Sequence, residues 1–156
     1  GTVIGILDLE GNIHISSGYL PICTQYHRVH PETNRRCIES DTILAKDIKD
    51  GKGYNIYKCK NGIYDVAIPI IFDENHIGNL FTGQFFMEEP DIEFFRKQAI
   101  EFGFNEEDYI KELGKVPIID QAQLKKTIDF LIQLTQTIGR LGKRKIPSSL
   151  NSSRKS

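Results

Sequence analysis

A run of three consecutive predicted strands constrains the fold of this chain more than any other feature. Short turns at residues 60–62 and 73–76 separate the three strands. The first turn contains Asn61-Gly62, and Asn-Gly between two apolar runs is a strong hairpin signal because both residues tolerate positive φ angles. The sequence therefore predicts an antiparallel sheet built on strands at residues 54–59, 63–72 and 77–86.

A polar residue, Gln84, interrupts the aromatic end of the third strand. Because successive side chains of a strand point to opposite faces, the sequence predicts two sets: Leu80, Thr82, Gln84 and Phe86 on one face, and Phe81, Gly83 and Phe85 on the other. A buried amide either orients a ligand or bonds a neighbouring backbone group. Asp65 raises the same question in the preceding strand, where it either points into a pocket or caps the turn before it.

The rest of the chain supplies another hairpin and several helices. Strands are predicted at residues 2–9 and 12–16. Helices are predicted at residues 21–29, 33–50, 91–102, 106–113 and 120–141, with N-caps at Thr33 or Asn34, Asp91, Asn105 and Asp120. The predicted fold class is therefore α+β: a five-stranded, mainly antiparallel sheet with helices packed on one face and a long C-terminal helix.

The long C-terminal helix carries apolar residues in steps of three and four: Leu124, Ile128, Leu131, Leu134, Ile138 and Leu141. This spacing approximates a heptad seam. The seam either packs against the sheet or forms a parallel homodimer that carries a signal outward. We assign residues 1–142 to one domain, and the basic, serine-rich residues 143–156 to a flexible tail or linker.

Composition excludes some classes of partner. The formal net charge of −1 and the pI of about 6.5 provide no global field that would favour nucleic acid or an acidic membrane. No apolar run approaches the roughly 20 residues that a membrane helix needs. Three cysteines are an odd number, which argues against a pure disulfide framework and favours a reducing, cytoplasmic location.

The three thiols form the main candidate chemical site. Cys23 and His27 stand four residues apart on one predicted helix, so their side chains are expected on one face. Cys37 and Asp41 repeat this spacing on the next helix, and Cys59 ends the first strand of the central run. Three thiols and one imidazole suit zinc, an iron–sulfur cluster or another soft metal.

Two other interpretations of the thiols stay open. Free cysteines are commonly small buried hydrophobes, whereas a redox sensor would need exposed thiols with a lowered pKa. A cysteine-dependent enzyme would use Cys23 with His27 as its base, but no oxyanion motif or glycine-rich nucleophile turn accompanies this pair. The cofactor is therefore left open: none, a thiolate-bound metal or an iron–sulfur cluster.

Six segments in this order resemble the PocR sensory domain, a ligand-binding family with a PAS-like fold. They are ICTQYHR at 22–28, RCIESD at 36–41, YKCKNGIYD at 57–65, AIPI at 67–70, IGNLFTGQF at 77–85, and residues 109–117. The resemblance extends over nearly all of the chain from Gly5 to Leu141.

The resemblance implies a non-enzymatic sensory input domain of a histidine kinase, as in two-component systems, or of a transcriptional regulator. It implies that the domain binds a small organic molecule between the sheet and the cysteine-bearing helices, and that the output domain lies elsewhere in a longer chain. The family's motif positions correspond here to Cys23, Cys37, Asp41, Tyr57, Cys59, Asp65 and Gln84; with the neighbouring His27 they form the predicted ligand-binding set.

Overall fold

The computed structural model of the chain describes residues 3–43 and 53–145. Within these residues the strands are Val3–Leu7 (β1), Ile13–Ser17 (β2), Asn55–Lys58 (β3), Tyr64–Phe72 (β4) and Asn75–Phe85 (β5). They form one antiparallel sheet in the spatial order β2-β1-β5-β4-β3. The predicted α+β class with a five-stranded antiparallel sheet is confirmed, as is the PAS-like character of the fold.

The helical elements are a π-helical turn, Ile22–His27, and the helices Pro31–Thr42 (α1), Ile92–Phe102 (α2), Glu106–Leu113 (α3) and Gln121–Lys145 (α4). No helix in this part of the chain is long and apolar enough to cross a membrane. The predicted caps of the last three helices are confirmed: the side chains of Asp91, Asn105 and Asp120 each accept a hydrogen bond from the backbone N–H three residues later.

The start of α1 differs from the prediction. The helix begins at Pro31, and the ring of His30 accepts a hydrogen bond from Glu32 N at 3.2 Å. Thr33, a predicted cap, instead donates its hydroxyl to His27 O at 2.7 Å. Proline suits the first helical position because its missing N–H would have no partner there. The predicted continuation of this helix to residue 50 lies outside the described residues.

A β-bulge at the end of β5 overturns the predicted alternation of its side chains. Tyr64 pairs with Phe85 and Asp65 pairs with Gly83, which leaves Gln84 as an extra residue with a φ of +61°. One extra residue moves the following side chain to the other face of the sheet. Phe85 therefore packs with Leu80, and Gln84 is released from the alternating pattern.

Helices cover both faces of the sheet, rather than the single face that was predicted. On one face, α4 packs against strands β4 and β5 through a buried cluster: Val66, Ile68, Leu80, Phe85, Leu124, Ile128 and Leu131. The π-helical turn and α1 face the opposite side, where Asp65, Phe81 and Gly83 project.

The predicted seam of α4 is split between two environments. Its first three residues belong to the buried cluster just described, whereas Leu134, Ile138 and Leu141 are 37%, 47% and 54% exposed. Phe130, outside the predicted seam, is 64% exposed. The helix therefore packs against the sheet through its buried first turns and again at Gly139 and Gly142, which lie against Ile71 and Phe72 of β4. On another face it presents an apolar stripe to solvent.

Candidate functional site

A cavity of about 30 Å³ lies between the sheet and the cysteine-bearing helices. Seven of the eight predicted ligand-binding residues line it: Cys23, His27, Cys37, Asp41, Cys59, Asp65 and Gln84. The eighth, Tyr57, lies behind Asp41, with its hydroxyl 3.4 Å from Asp41 Oδ1. The structure thus brings side chains from the π-helical turn, α1, the β3–β4 turn and two strands to one place.

Sequence reasoning missed two polar residues of this wall, Tyr19 and Arg28. Arg28 Nη2 donates to Asp41 Oδ2 at 2.8 Å, and its guanidinium lies 5.8 Å from the centre of the Tyr19 ring. Burial raises the pKa of Asp41, while the neighbouring Arg28 acts in the opposite direction. Arg28 Nε is buried and has no hydrogen-bond partner among the described residues. The Arg28–Asp41 ion pair therefore leaves the N–H of Arg28 Nε available for a hydrogen bond beside the cavity.

Asp65 contributes a carboxyl group to the same cavity. Burial, together with the nearby Asp41, raises the pKa of Asp65 to about 7, so this carboxyl changes its protonation near neutral pH. Its Oδ1 accepts a hydrogen bond from Gln84 N at 3.2 Å. The carboxyl packs directly over Gly83, where a Cβ atom would overlap Asp65 Oδ1. Glycine is therefore required at this position for the carboxyl to reach the cavity.

Gln84 uses its side chain to tie the β5 bulge to the segment before the π-helical turn. Its Oε1 accepts a hydrogen bond from Leu20 N at 2.5 Å. The neighbouring Tyr19 lies over Gly5 of β1. The sequence-based alternatives for Gln84 are thus both represented in the structure, because its amide bonds a backbone group and also lines the cavity.

The thiols do not have the geometry of a metal site. Among the described residues, which include all four candidate ligands, no group of three or more His, Cys, Asp or Glu side chains is arranged to hold a metal ion. Burial raises the pKa of Cys37 to about 11 and that of Cys59 to about 12, and it raises the pKa of Cys23 well above its usual value. At neutral pH these thiols are protonated, which disfavours redox sensing and nucleophilic attack.

His27 belongs to a buried polar cluster rather than to a catalytic pair. Its Nε2 lies 2.6 Å from Tyr109 Oη, and Gln98 Nε2 donates to the same hydroxyl at 2.7 Å. Burial lowers the pKa of His27 to about 3, with Arg28 adding to the effect, so the ring is neutral. In the tautomer with Nε2 unprotonated, the ring accepts the hydrogen bond that the Tyr109 hydroxyl donates. The general base that a Cys23 nucleophile would need is therefore already engaged.

Asn61 extends this cluster to the cavity wall. Its Nδ2 donates to Thr33 O at 2.9 Å and to Cys37 Sγ at 3.2 Å, and its backbone carbonyl oxygen accepts a hydrogen bond from Gln98 Nε2 at 3.2 Å. The sequence assigned Asn61 only to a turn, yet the residue is fully buried. The buried polar cluster of His27, Asn61, Gln98 and Tyr109 thus joins four elements behind the cavity.

Comparison with known proteins places this architecture in a family. A family model described as the sensory domain found in PocR matches residues 1–143. The chain belongs to the PocR sensory domain family. This PocR sensory domain is 23% identical over 133 residues to the Regulatory protein PocR of Salmonella typhimurium, an alignment that covers 84% of the chain and 43% of that relative. No solved structure matches the chain.

Proposed function

We propose that this PocR sensory domain binds a small polar organic molecule in the cavity and relays its presence through α4 to an output domain elsewhere in a longer chain. The observation that carries this proposal is the convergence of seven predicted residues and of Arg28 on one cavity. The relative's description as a regulatory protein, of which the chain spans 43%, supports an input role beside other domains.

The chemistry of the cavity wall favours a neutral molecule with hydrogen-bonding groups. Arg28 Nε is a donor that finds no partner in the described part of the chain, and the Asp65 carboxyl both accepts and, when protonated, donates. Three protonated thiols, Val3 and Phe81 provide an apolar surround. Binding sites for small molecules commonly combine an apolar lining with a few convergent polar groups.

A short chain segment connects this cavity to α4. Phe86, two residues after Gln84, donates its N–H to Pro117 O and accepts from Ile119 N, both at 2.8 Å. Asp120 follows at once and caps α4. A change in the bulge is therefore transmitted through two backbone hydrogen bonds to the first turn of α4. A ligand shifts the arrangement of this helix only if it binds one arrangement more tightly.

We further propose that the exposed apolar stripe of α4 forms a homodimer. The stripe consists of Phe130, Leu134, Ile138 and Leu141. Contiguous exposed apolar patches of this kind commonly mark protein–protein contacts. A dimer through α4 would bring two sensory domains to one shared helical output.

Binding is tested by titrating the protein with a panel of neutral polar small molecules and recording thermal unfolding and native mass spectra. A ligand present at 100 times its Kd stabilises the native state by about 2.7 kcal/mol. The variant Asp65→Asn removes the titrating carboxyl at nearly constant shape, and we expect it to weaken binding at least tenfold. Asp129→Asn, at an exposed ion pair on α4, is the matched control. Equal binding by both variants would contradict the assignment of the cavity.

A further inference from the structure

The cavity described above has the polar groups of a binding site but little room. Its volume of about 30 Å³ accommodates one or two water molecules. Sites for organic ligands commonly occupy roughly 300–1,000 Å³. The space for most of an organic molecule must therefore come from somewhere else in the structure.

A cleft of about 360 Å³ lies next to this cavity. Its wall mixes polar and apolar side chains, and its apolar part consists mainly of Phe85 at the end of β5, Pro117 and Ile119 from the segment before α4, and Leu124 from the first turns of α4. The cleft and the cavity share three lining residues: Val3, Gly83 and Gln84. The cleft thus begins where the cavity ends.

Gln84 stands at the boundary between the two spaces. Its neighbour through the side-chain hydrogen bond, Leu20, lines the cleft, whereas Tyr19 lines the cavity. The hydrogen bond from Leu20 N to Gln84 Oε1 therefore separates the cavity, on the side of Tyr19, from the cleft, on the side of Leu20. Gln84 also has a φ of +61°, a conformation that is costly for a residue with a side chain and that often accompanies functional sites.

We propose that the cavity and the cleft are two compartments of one binding site, divided by the Gln84 side chain, and that the site takes a molecule with a hydrogen-bonding head and a short aliphatic part. The head lies beside Asp65 and Arg28, and the aliphatic part lies against Phe85 and Leu124. This inference rests on the proposed function for the identity of the cavity. It adds that the occupant contacts α4 directly once the Leu20–Gln84 bond opens.

The division is tested without any natural ligand by measuring how fast methyl methanethiolsulfonate, a small thiol reagent, modifies Cys23. This thiol lines the cavity but not the cleft. In Gln84→Ala the partition is absent, and we expect the modification rate of Cys23 to rise at least tenfold, as followed by peptide mass spectrometry. Gln84→Glu retains an acceptor of similar length, and Gln123→Ala changes the cleft but not the partition. Gln84→Glu is expected to stay within about twofold of the wild type because it keeps an acceptor for Leu20 N. Gln123→Ala is expected to do the same because it lies away from the partition.

Cys59 provides an internal reference for loss of stability. It lines the cavity and also a second cleft on the other side, beside Phe94. Global unfolding would accelerate both thiols together, whereas removal of the partition raises the ratio of the Cys23 rate to the Cys59 rate. An unchanged ratio in Gln84→Ala overturns the proposal even if ligand binding to the wild type is demonstrated. A raised ratio supports the divided site even if no natural ligand has been found.

The chemical class is tested in the same variant with two primary amides. Acetamide and hexanamide both carry the carboxamide that Gln84→Ala removes, but hexanamide adds an aliphatic chain for the cleft. Each buried methylene strengthens binding about fourfold, so hexanamide is expected to protect Cys23 at a concentration at least tenfold lower. Equal protection by the two amides, or none by either, overturns the assignment of the aliphatic part to the cleft.

Discussion

Replacing Tyr109 with phenylalanine tests the buried polar cluster behind the cavity. Tyr109 is fully buried, and its hydroxyl bridges His27 Nε2 at 2.6 Å and Gln98 Nε2 at 2.7 Å. The substitution keeps the aromatic ring and its packing but removes both hydrogen bonds. The acceptor on His27 and one N–H of Gln98 are then left without their main partner in the protein interior.

The expected loss of stability follows from the cost of unsatisfied buried groups, about 1–3 kcal/mol each. Gln98 Nε2 lies 3.5 Å from His27 Nε2 and can move toward it, which recovers part of the loss. We therefore expect Tyr109→Phe to reduce the free energy of unfolding by about 2–3 kcal/mol. For a domain of this size, that change lowers Tm by about 4–12 °C.

The measurement is urea denaturation, followed by circular dichroism at pH 7.5, supported by calorimetry. Tyr26→Phe is the matched control, because Tyr26 contacts the Tyr109 ring at 5.3 Å but its hydroxyl makes no hydrogen bond to any described residue. We expect the control to change stability by less than about 0.5 kcal/mol, as for other substitutions that break no buried bond. If both variants unfold at the same urea concentration, the hydrogen-bonded role of Tyr109 is wrong.

Three further predictions concern the carboxyl, the helix and the thiols. Because its pKa is raised to about 7, Asp65 stabilises the native state at low pH, and this contribution is lost as the pH rises. The free energy of unfolding of Asp65→Asn, relative to that of the wild type, should therefore increase by about 2–4 kcal/mol from pH 4 to pH 8. Urea stability that varies with pH in the same way for both proteins would refute this. If α4 forms a dimer, Leu134→Glu with Ile138→Glu should sediment as a monomer while the exposed control Gln133→Glu stays dimeric; identical sedimentation of the two would oppose the dimer. Cys37, with its pKa raised to about 11 by burial, should react with iodoacetamide about a hundredfold more slowly at pH 7.5 in the native state than in urea, and a rate equal to that of the unfolded protein would contradict its burial.

The sheet and the helix caps were accessible from the sequence because local rules determine them. The Asn61-Gly62 turn and the period-two patterns located the three central strands to within one or two residues. The caps Asp91, Asn105 and Asp120 follow from side-chain bonds over three residues. The π-helical turn was missed because six residues are too few to separate its period from that of an α-helix.

The bulge at Gln84 was out of reach because a non-local contact defines it. Its backbone N–H bonds Asp65, and its side chain bonds Leu20, 64 residues earlier in the chain. The alternation rule assumes an unbroken ladder and therefore misplaced Phe85. The family resemblance brought six of the cavity residues together by motif position, but it carried no signal for the partnership of Arg28 with Asp41 or for the burial of Asn61.

The free energy needed to relay ligand binding through α4 favours two coupled sensory domains over a single one. Reversing a two-state equilibrium from 1:99 to 99:1 requires a differential binding free energy of about 5.5 kcal/mol. The contacts that we assign to coupling are one hydrogen bond, Leu20 to Gln84, and one strained backbone conformation, a φ of +61° at Gln84. Together they represent about 2–4 kcal/mol, which is too little for a complete switch in one chain. In the proposed dimer, two ligands acting on a pair of α4 helices would double this differential, so a monomeric variant should still bind ligand but respond with a smaller change in α4.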